Sequence, residues 1–325
     1  MLLFYTLLLA TGFIALIKGA DWFVEGSSAL AKNFKVPGVI IGLTIVALGT
    51  SAPEMAVSIS AALQGSNEIA LSNVVGSNIF NLLCVLGICA VIHTLPVDDP
   101  ILKRDFPLSI GSTVLLLLMS SSRSVFSGGL LQKSMHDVAG NVSRITGIVL
   151  LVIFMVYILF LIYDAKKHPS LEETGEGMPF WKCFLLIAIG LILIIGGGQY
   201  VVYSSKTIAQ MLGMSETLIG LTIVAVGTSL PELVTSIVAA KKGETGIAVG
   251  NVIGSNIFNL LFILGISSAI HPIAVNVASV YDLGILIAVS TLTYAFLLRK
   301  KALLRFSGIV MLCIYAADMV FAILR

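Results

Sequence analysis

The sequence predicts an all-α integral membrane protein: ten transmembrane helices in two inverted-topology five-helix repeats, with helices broken at the midplane. Three observations carry that prediction. The first is composition: of 325 residues, 58% are hydrophobic and 11% charged, where soluble domains hold about a quarter charged residues. The second is an internal repeat. Adding 178 to a position in 42–83 gives its counterpart in 220–261, and 28 of the 42 positions are identical without a gap. The third is a Pro-Glu pair inside each copy, in "GLTIVALGTSAPE" (Gly42–Glu54) and "GLTIVAVGTSLPE" (Gly220–Glu232).

A span takes roughly 20 apolar residues. Segments of that kind lie near 2–29, 37–63, 68–92, 105–121, 145–163, 182–210, 215–240, 245–270, 280–298 and 303–323. The first has no basic leading region and no cleavage site, so it reads as a span and not a signal peptide. The polar stretches 122–144 and 164–181 read as loops. The second of these is a cytoplasmic linker between a first five-helix repeat (1–163, motif 42–83) and a second (182–325, motif 220–261). Five spans per half is an odd number, so the second half must enter the membrane from the opposite side. Inverted repeats of this kind are common in secondary transporters, whose sites lie near the midplane.

Charge gives the orientation. With the amino terminus outside, the inner segments hold 13 Lys and Arg residues, among them Lys103, Arg104, Lys241, Lys242 and Arg299, and the outer segments hold 5. That split predicts a multi-pass plasma-membrane protein with both termini outside. The same Lys and Arg clusters read as a topology signal, not as a nucleic-acid patch. In the first span Lys18 and Asp21 stand i,i+3 and are expected to neutralise one another. The four cysteines (Cys84, Cys89, Cys183, Cys313) lie in or beside apolar segments without a CxxC pattern and read as core residues. The chain shows no phosphate-binding loop, HExxH or nucleophile elbow, so no enzyme and no cofactor is expected.

The repeated motif carries the chemistry. Proline lacks an N–H and clashes with the carbonyl four residues back, so Pro53 is expected to free the Gly49 carbonyl and Pro231 that of Gly227. A glutamate at mid-span costs roughly 3 kcal/mol even on lenient insertion scales, which makes Glu54 and Glu232 functional-site candidates. At i,i+4 spacing Thr50 falls with Glu54, Thr228 with Glu232, Ser77 with Asn81, and Ser255 with Asn259. Brought together, these groups form an all-oxygen shell suited to Ca²⁺ or Na⁺. No His or Cys joins it, which argues against zinc or copper. Taken singly, a buried Ser, Thr or Asn is more often helix-packing glue; a symmetry-related pair of Pro-Glu steps is not.

"GTSAPE…GSNIFN" and "GTSLPE…GSNIFN" resemble the two alpha-repeats of sodium/calcium exchangers in the cation/Ca²⁺ antiporter superfamily, over essentially the whole chain. The resemblance implies a Na⁺/Ca²⁺ antiporter working by alternating access, its transported ions Ca²⁺ and Na⁺, in a lipid bilayer and as a monomer. It implies that Glu54 and Glu232 bind Ca²⁺ with the carbonyls of Thr50 and Thr228. Flanking Na⁺ sites would use Ala47, Thr50, Ser51 and Ser77, and Ala225, Thr228, Ser229 and Ser255. Asn81 and Asn259 would complete the central ring, and the first and sixth helices would slide on glycines. Some microbial members carry Asp at the position of Asn259, so the ring here holds two acids and not three. Proton/calcium members carry a further acid in the second motif, where this chain has "GSNIFN".

Three alternatives stand beside that reading. H⁺ or K⁺ could couple as well as or instead of Na⁺. A cation channel would also use an acidic ring, although channels usually take their symmetry from parallel subunits around a pore. An intramembrane hydrolase would need two carboxylates of unlike character, which near-identical motifs do not provide.

Overall fold

The computed structural model describes residues 1–64, 67–126, 134–167, 178–213 and 225–324. The helices are α1 (Leu2–Phe34), α2 (Gly38–Thr50), α3 (Ala52–Leu63), α4 (67–92), α5 (101–126), α6 (Arg144–Lys167), α7 (Phe180–Met211), α8 (Ala225–Gly227), α9 (Leu230–Lys241), α10 (Thr245–Ile270), α11 (Val277–Lys300) and α12 (Arg305–Leu324). Among the described residues, seven helices are long and apolar enough to cross a membrane, or eight spans if α2 and α3 count as one broken span. The span expected at 105–121 falls on Phe106–Phe126. That expected at 215–240 lies partly outside the described residues, as do most of the expected linker and the start of the second motif at Gly220.

Two short antiparallel ribbons join the halves of the chain. β1 (Leu95–Pro96) pairs with β4 (Ala302–Leu303), and β2 (Val138–Val142) pairs with β3 (Ile273–Asn276). β1 and β3 begin 178 positions apart, so each repeat contributes one strand at the same place.

Apolar side chains line the surface as well as the core, and polar ones are buried among them. Large apolar side chains such as Ile14, Val156, Trp181, Ile192 and Phe306 are exposed, while Thr50, Glu54, Asn78, Ser229, Glu232 and Asn256 are fully buried. Lipid can cover the first set; the second has to find partners within the protein. Helix α10 is buried almost throughout and α4 over most of its length, whereas α1, α7 and α12 face mainly outward. The polar core is therefore built between α4 and α10.

Helices α1 and α7 lie on one another along glycines. A Cβ on Gly19 would stand 2.8 Å from the Gly190 carbonyl, and one on Gly197 would stand 2.8 Å from the Gly12 carbonyl. Positions 12 and 190, and 19 and 197, are each 178 apart, so the contact is reciprocal. An alanine normally adds about 1 kcal/mol of helix propensity over glycine, but here the obstacles are backbone atoms, and overpacking costs about 1–3 kcal/mol. Gly19→Ala is thus expected to lower the thermal unfolding temperature in detergent. Gly284→Ala, where a Cβ meets nothing within 4 Å among the described residues, is expected to hold or raise it.

A second close approach joins the first motif to α10. A Cβ on Gly250 would sit 2.6 Å from the Val39 carbonyl, and one on Gly254 would sit 2.7 Å from Leu43 Cα. The positions matched to these in the first half, Ser72 and Gly76, are exposed. The segment of the second motif matched to α2 lies mostly outside the described residues, so the seating of α2 on α10 is described for one repeat only.

Charged groups gather at the helix ends. Arg104 bonds Asp105 at 2.7 Å and Asp164 at 2.7 Å, and Tyr157 donates to Asp105 at 3.0 Å. Lys103 and Lys301 flank Asp99 at 2.8 and 2.6 Å, and they hold its carboxyl down to about 2. That depressed value means the link is complete above about pH 4 and loosens only as pH falls toward 2. Asp21 pairs with Lys242 at 2.6 Å, and so is not reserved for Lys18, its expected partner; position 242 lies on the turn after α9, which the local reading of α1 could not reach. Ser28 of α1 donates to Glu244 on the same turn at 2.6 Å.

Candidate functional site

The Pro-Glu steps break their helices as the sequence requires. In the first half α2 ends at Thr50, Ser51 leaves helical geometry at φ −81°, ψ 9°, and α3 begins with Pro53 in its first turn at a bend of 51°. In the second, Ser229 takes φ −91°, ψ 7°, with Pro231 at the start of α9. Proline is well placed there, because the first turn of a helix has no partner for its N–H. Each glutamate then lies in the first turn of its helix, where the positive end of the helix dipole favours a carboxylate.

The break also changes two sequence expectations. Thr50 and Glu54 no longer share a continuous helix face, and Thr50 Oγ1 instead donates across the chain to Asn251 Oδ1 at 2.9 Å. The Gly49 carbonyl is not left free: N–H groups at the end of α2 reach the carbonyls of Ala47 and Gly49. The tight turn at Ser51 supplies these donors after the proline has removed the ordinary one.

Both carboxylates are fully buried, and each is held by the other half. Ser51, three residues before Glu54, donates to Glu232 Oε1 at 2.8 Å. Ser229, three residues before Glu232, donates to Glu54 Oε1 at 3.0 Å. Ser77 completes that side, 3.4 Å from Glu54 Oε1 and 3.0 Å from Ser229 Oγ. The remaining oxygens, Glu54 Oε2 and Glu232 Oε2, are buried with no protein hydrogen bond. So are Asn81 Oδ1, Asn259 Oδ1 and Ser255 Oγ.

Five orphaned oxygens among the predicted site residues, two of them on carboxylates, are costly in a dry core. A bound hard cation would satisfy them together. The donors are carboxylate, amide and hydroxyl oxygens, a type of donor that suits hard cations.

Of the other expected residues, Ala47 is buried in α2 and Thr228 is half-buried beside Ser229. Ala225 lies in the short helix Ala225–Gly227. Wide π-helical turns begin at Asn81 in α4 and at Phe258, one residue before Asn259, in α10; such turns are frequent at functional sites.

Four asparagines that the spacing argument passed over support the cluster. Asn73 Nδ2 donates to the Glu54 carbonyl (3.3 Å) and to Ser58 Oγ (3.1 Å). Asn251 repeats this with the Glu232 carbonyl (3.4 Å) and Ser236 Oγ (2.9 Å). Asn78 and Asn256 bond one another between α4 and α10. All four are identical letters of the repeat.

The chain is similar to known proteins over most of its length. The family model "Sodium/calcium exchanger protein" matches residues 4–163 and 182–324. The sodium/calcium exchanger MaX1 of Methanosarcina acetivorans is 33% identical over 340 residues, covering 97% of each chain. The inner membrane protein YrbG of Escherichia coli is 36% identical over 283 residues, covering 83% of this chain and 81% of its own. Among solved structures, the sodium-calcium exchanger NCX_Mj soaked with zero Na⁺ and Ca²⁺ superposes with a TM-score of 0.82 at 30% identity, covering 100% of both chains. On these matches and the residues that carry them, the chain belongs to the sodium/calcium exchanger protein family, whose members are cation/Ca²⁺ antiporters and not enzymes.

Proposed function

We propose that this chain is a Na⁺/Ca²⁺ antiporter. In this reading Ca²⁺ is held by Glu54 and Glu232 with Asn81, Asn259 and the carbonyls of Thr50 and Thr228. Na⁺ uses Ala47, Thr50, Ser51 and Ser77 on one side, and Ala225, Thr228, Ser229 and Ser255 on the other. The observation that carries it is the crossed pair of buried carboxylates, each bonded by the other half's serine and each keeping one oxygen without a partner. Two negative charges offset one Ca²⁺, so the loaded site is neutral and can pass through a low-dielectric core. Without a cation the same two charges face hydroxyls alone, which leaves an expensive state.

Alternating access would follow from the repeat. The reciprocal glycine contacts of α1 and α7, the matched ribbons and the crossed serines all support two inverted five-helix halves, ten spans in total. In this state α2 of the first half is seated on α10 of the second. The second state would exchange those roles. We place both termini outside the cell membrane on the Lys and Arg distribution.

Competition tests the ion assignment. Na⁺, and not K⁺ or choline, is expected to displace radiolabelled Ca²⁺ from the purified protein in detergent. Displacement by K⁺ as strong as by Na⁺ would favour a K⁺-coupled exchanger. Cysteine labelling tests the topology on a background lacking the native cysteines. Substitutions in 64–67 and in 164–181 are expected to label from opposite sides of the membrane, and labelling from the same side would refute the inverted arrangement.

A further inference from the structure

The orientation of the two central amides can be traced back to main-chain atoms. A backbone carbonyl only accepts hydrogen bonds. Asn78 must therefore turn its Nδ2 toward the Asn256 carbonyl, 3.1 Å away, and Asn256 must turn its own toward the Asn78 carbonyl at 3.3 Å. Each Oδ1 is thereby fixed on the other side of its amide. There Asn78 Oδ1 accepts from Asn259 Nδ2 at 3.1 Å, with Ser77 Oγ a longer second acceptor at 3.4 Å, and Asn256 Oδ1 accepts from Asn81 Nδ2 at 3.2 Å.

The chain of constraints then reaches the site. With their nitrogens taken from behind, Asn81 and Asn259 leave Oδ1 buried and without a protein donor. All four asparagines are fully buried. We infer that Asn78 and Asn256 are positioning residues: each fixes the ligand amide of the opposite repeat so that oxygen, and not the NH₂ group, meets the cation. The assignment is crossed, Asn78 acting on Asn259 and Asn256 on Asn81.

Only a carboxamide does this. It donates to a carbonyl and accepts from an amide at one width; Asp lacks the donor, Leu lacks both groups, and Ser is too short to make the two bonds at once. Without Asn78, Asn259 Nδ2 keeps only the longer bond to Ser77 Oγ at 3.4 Å, so the amide turns over at smaller cost, and an NH₂ facing Ca²⁺ repels it. The inference rests on the reading of Asn81 and Asn259 as cation ligands and extends it by one layer.

A carboxylate has oxygen on both faces, which gives the test. The full chain is purified with Asn78→Ser or Asn256→Ser, each alone and in the N259D or N81D background. Radiolabelled Ca²⁺ binding gives Kd, and uptake into proteoliposomes gives KM and kcat. Each Ser variant alone is expected to raise Kd and KM about tenfold or more, the usual effect of losing an outer-layer partner, with a smaller change in kcat. N78S is expected to have less than about a twofold effect on Kd in the N259D background but its full effect in N81D, and N256S the reverse.

Equal effects of N78S in all backgrounds would overturn the inference, as would a Kd within twofold of wild type for both Ser variants. Loss of folding by both Ser variants would overturn it as well, because these asparagines would then be holding helices and not ligands. The underlying ligand reading fails separately: Asn81→Ala and Asn259→Ala would both bind Ca²⁺ as wild type does.

Discussion

Glu54→Gln and Glu232→Gln are each expected to abolish Ca²⁺ transport while the protein folds and inserts normally. The substitution keeps shape, removes one charge and exchanges one acceptor oxygen for an NH₂ donor. A carboxylate contributes several kcal/mol of attraction to a divalent ion even at an effective dielectric constant of about 20. Its loss is expected to raise KM at least about 100-fold. Stability without Ca²⁺ should hold or rise, because a buried acid with only hydroxyl partners is a cost to the fold. The wild type is expected to gain thermal stability on adding Ca²⁺ by mass action, and the variants to lose that gain. Uptake within a few-fold of wild type by either variant would remove the carboxylates from the site.

Gly76→Val and Gly254→Val are expected to stop transport equally, although only one of them looks harmful in the structure. At Gly254 a Cβ would sit 2.7 Å from Leu43 Cα and from the Leu43 carbonyl, so the closed end could not close. Overpacking of that kind costs about 1–3 kcal/mol or more. At Gly76 a Cβ meets nothing within 4 Å among the described residues, and the position is exposed. A static scaffold in which no other residue meets that face tolerates G76V. An exchanger with inverted halves does not, because in its other state position 76 takes the part now played by position 254. G76V is expected to leave thermal stability and radiolabelled Ca²⁺ binding near wild type while the uptake rate falls about tenfold or more. Wild-type uptake by G76V would count against exchange of roles between the repeats.

Much of this was legible in the sequence because a membrane simplifies the problem. Apolar runs mark spans, and any Pro, Glu or Asn inside them has to be explained. Pro53 and Pro231 announced the helix breaks, and a constant offset of 178 announced the pairing of the halves. What could not be read was contact between halves. The bond from Ser51 to Glu232 joins residues 181 apart, and the pairing of Asp21 with Lys242 joins residues 221 apart; neither follows from any local period. The i,i+4 rule also assumed an unbroken helix, and the bend at Ser51 removed that assumption for Thr50. The role of Asn78 and Asn256 depends on which face of an amide points where, which letters alone do not encode.

The most direct test of the whole account is uptake of radiolabelled Ca²⁺ into proteoliposomes of the purified chain, with Na⁺, K⁺ or H⁺ gradients imposed one at a time. The account predicts rapid, saturable uptake when Na⁺ is inside and absent outside, and uptake near the protein-free level for K⁺ or H⁺ gradients alone. Uptake that follows an H⁺ gradient and ignores Na⁺, or that needs no counter-ion at all, would contradict it.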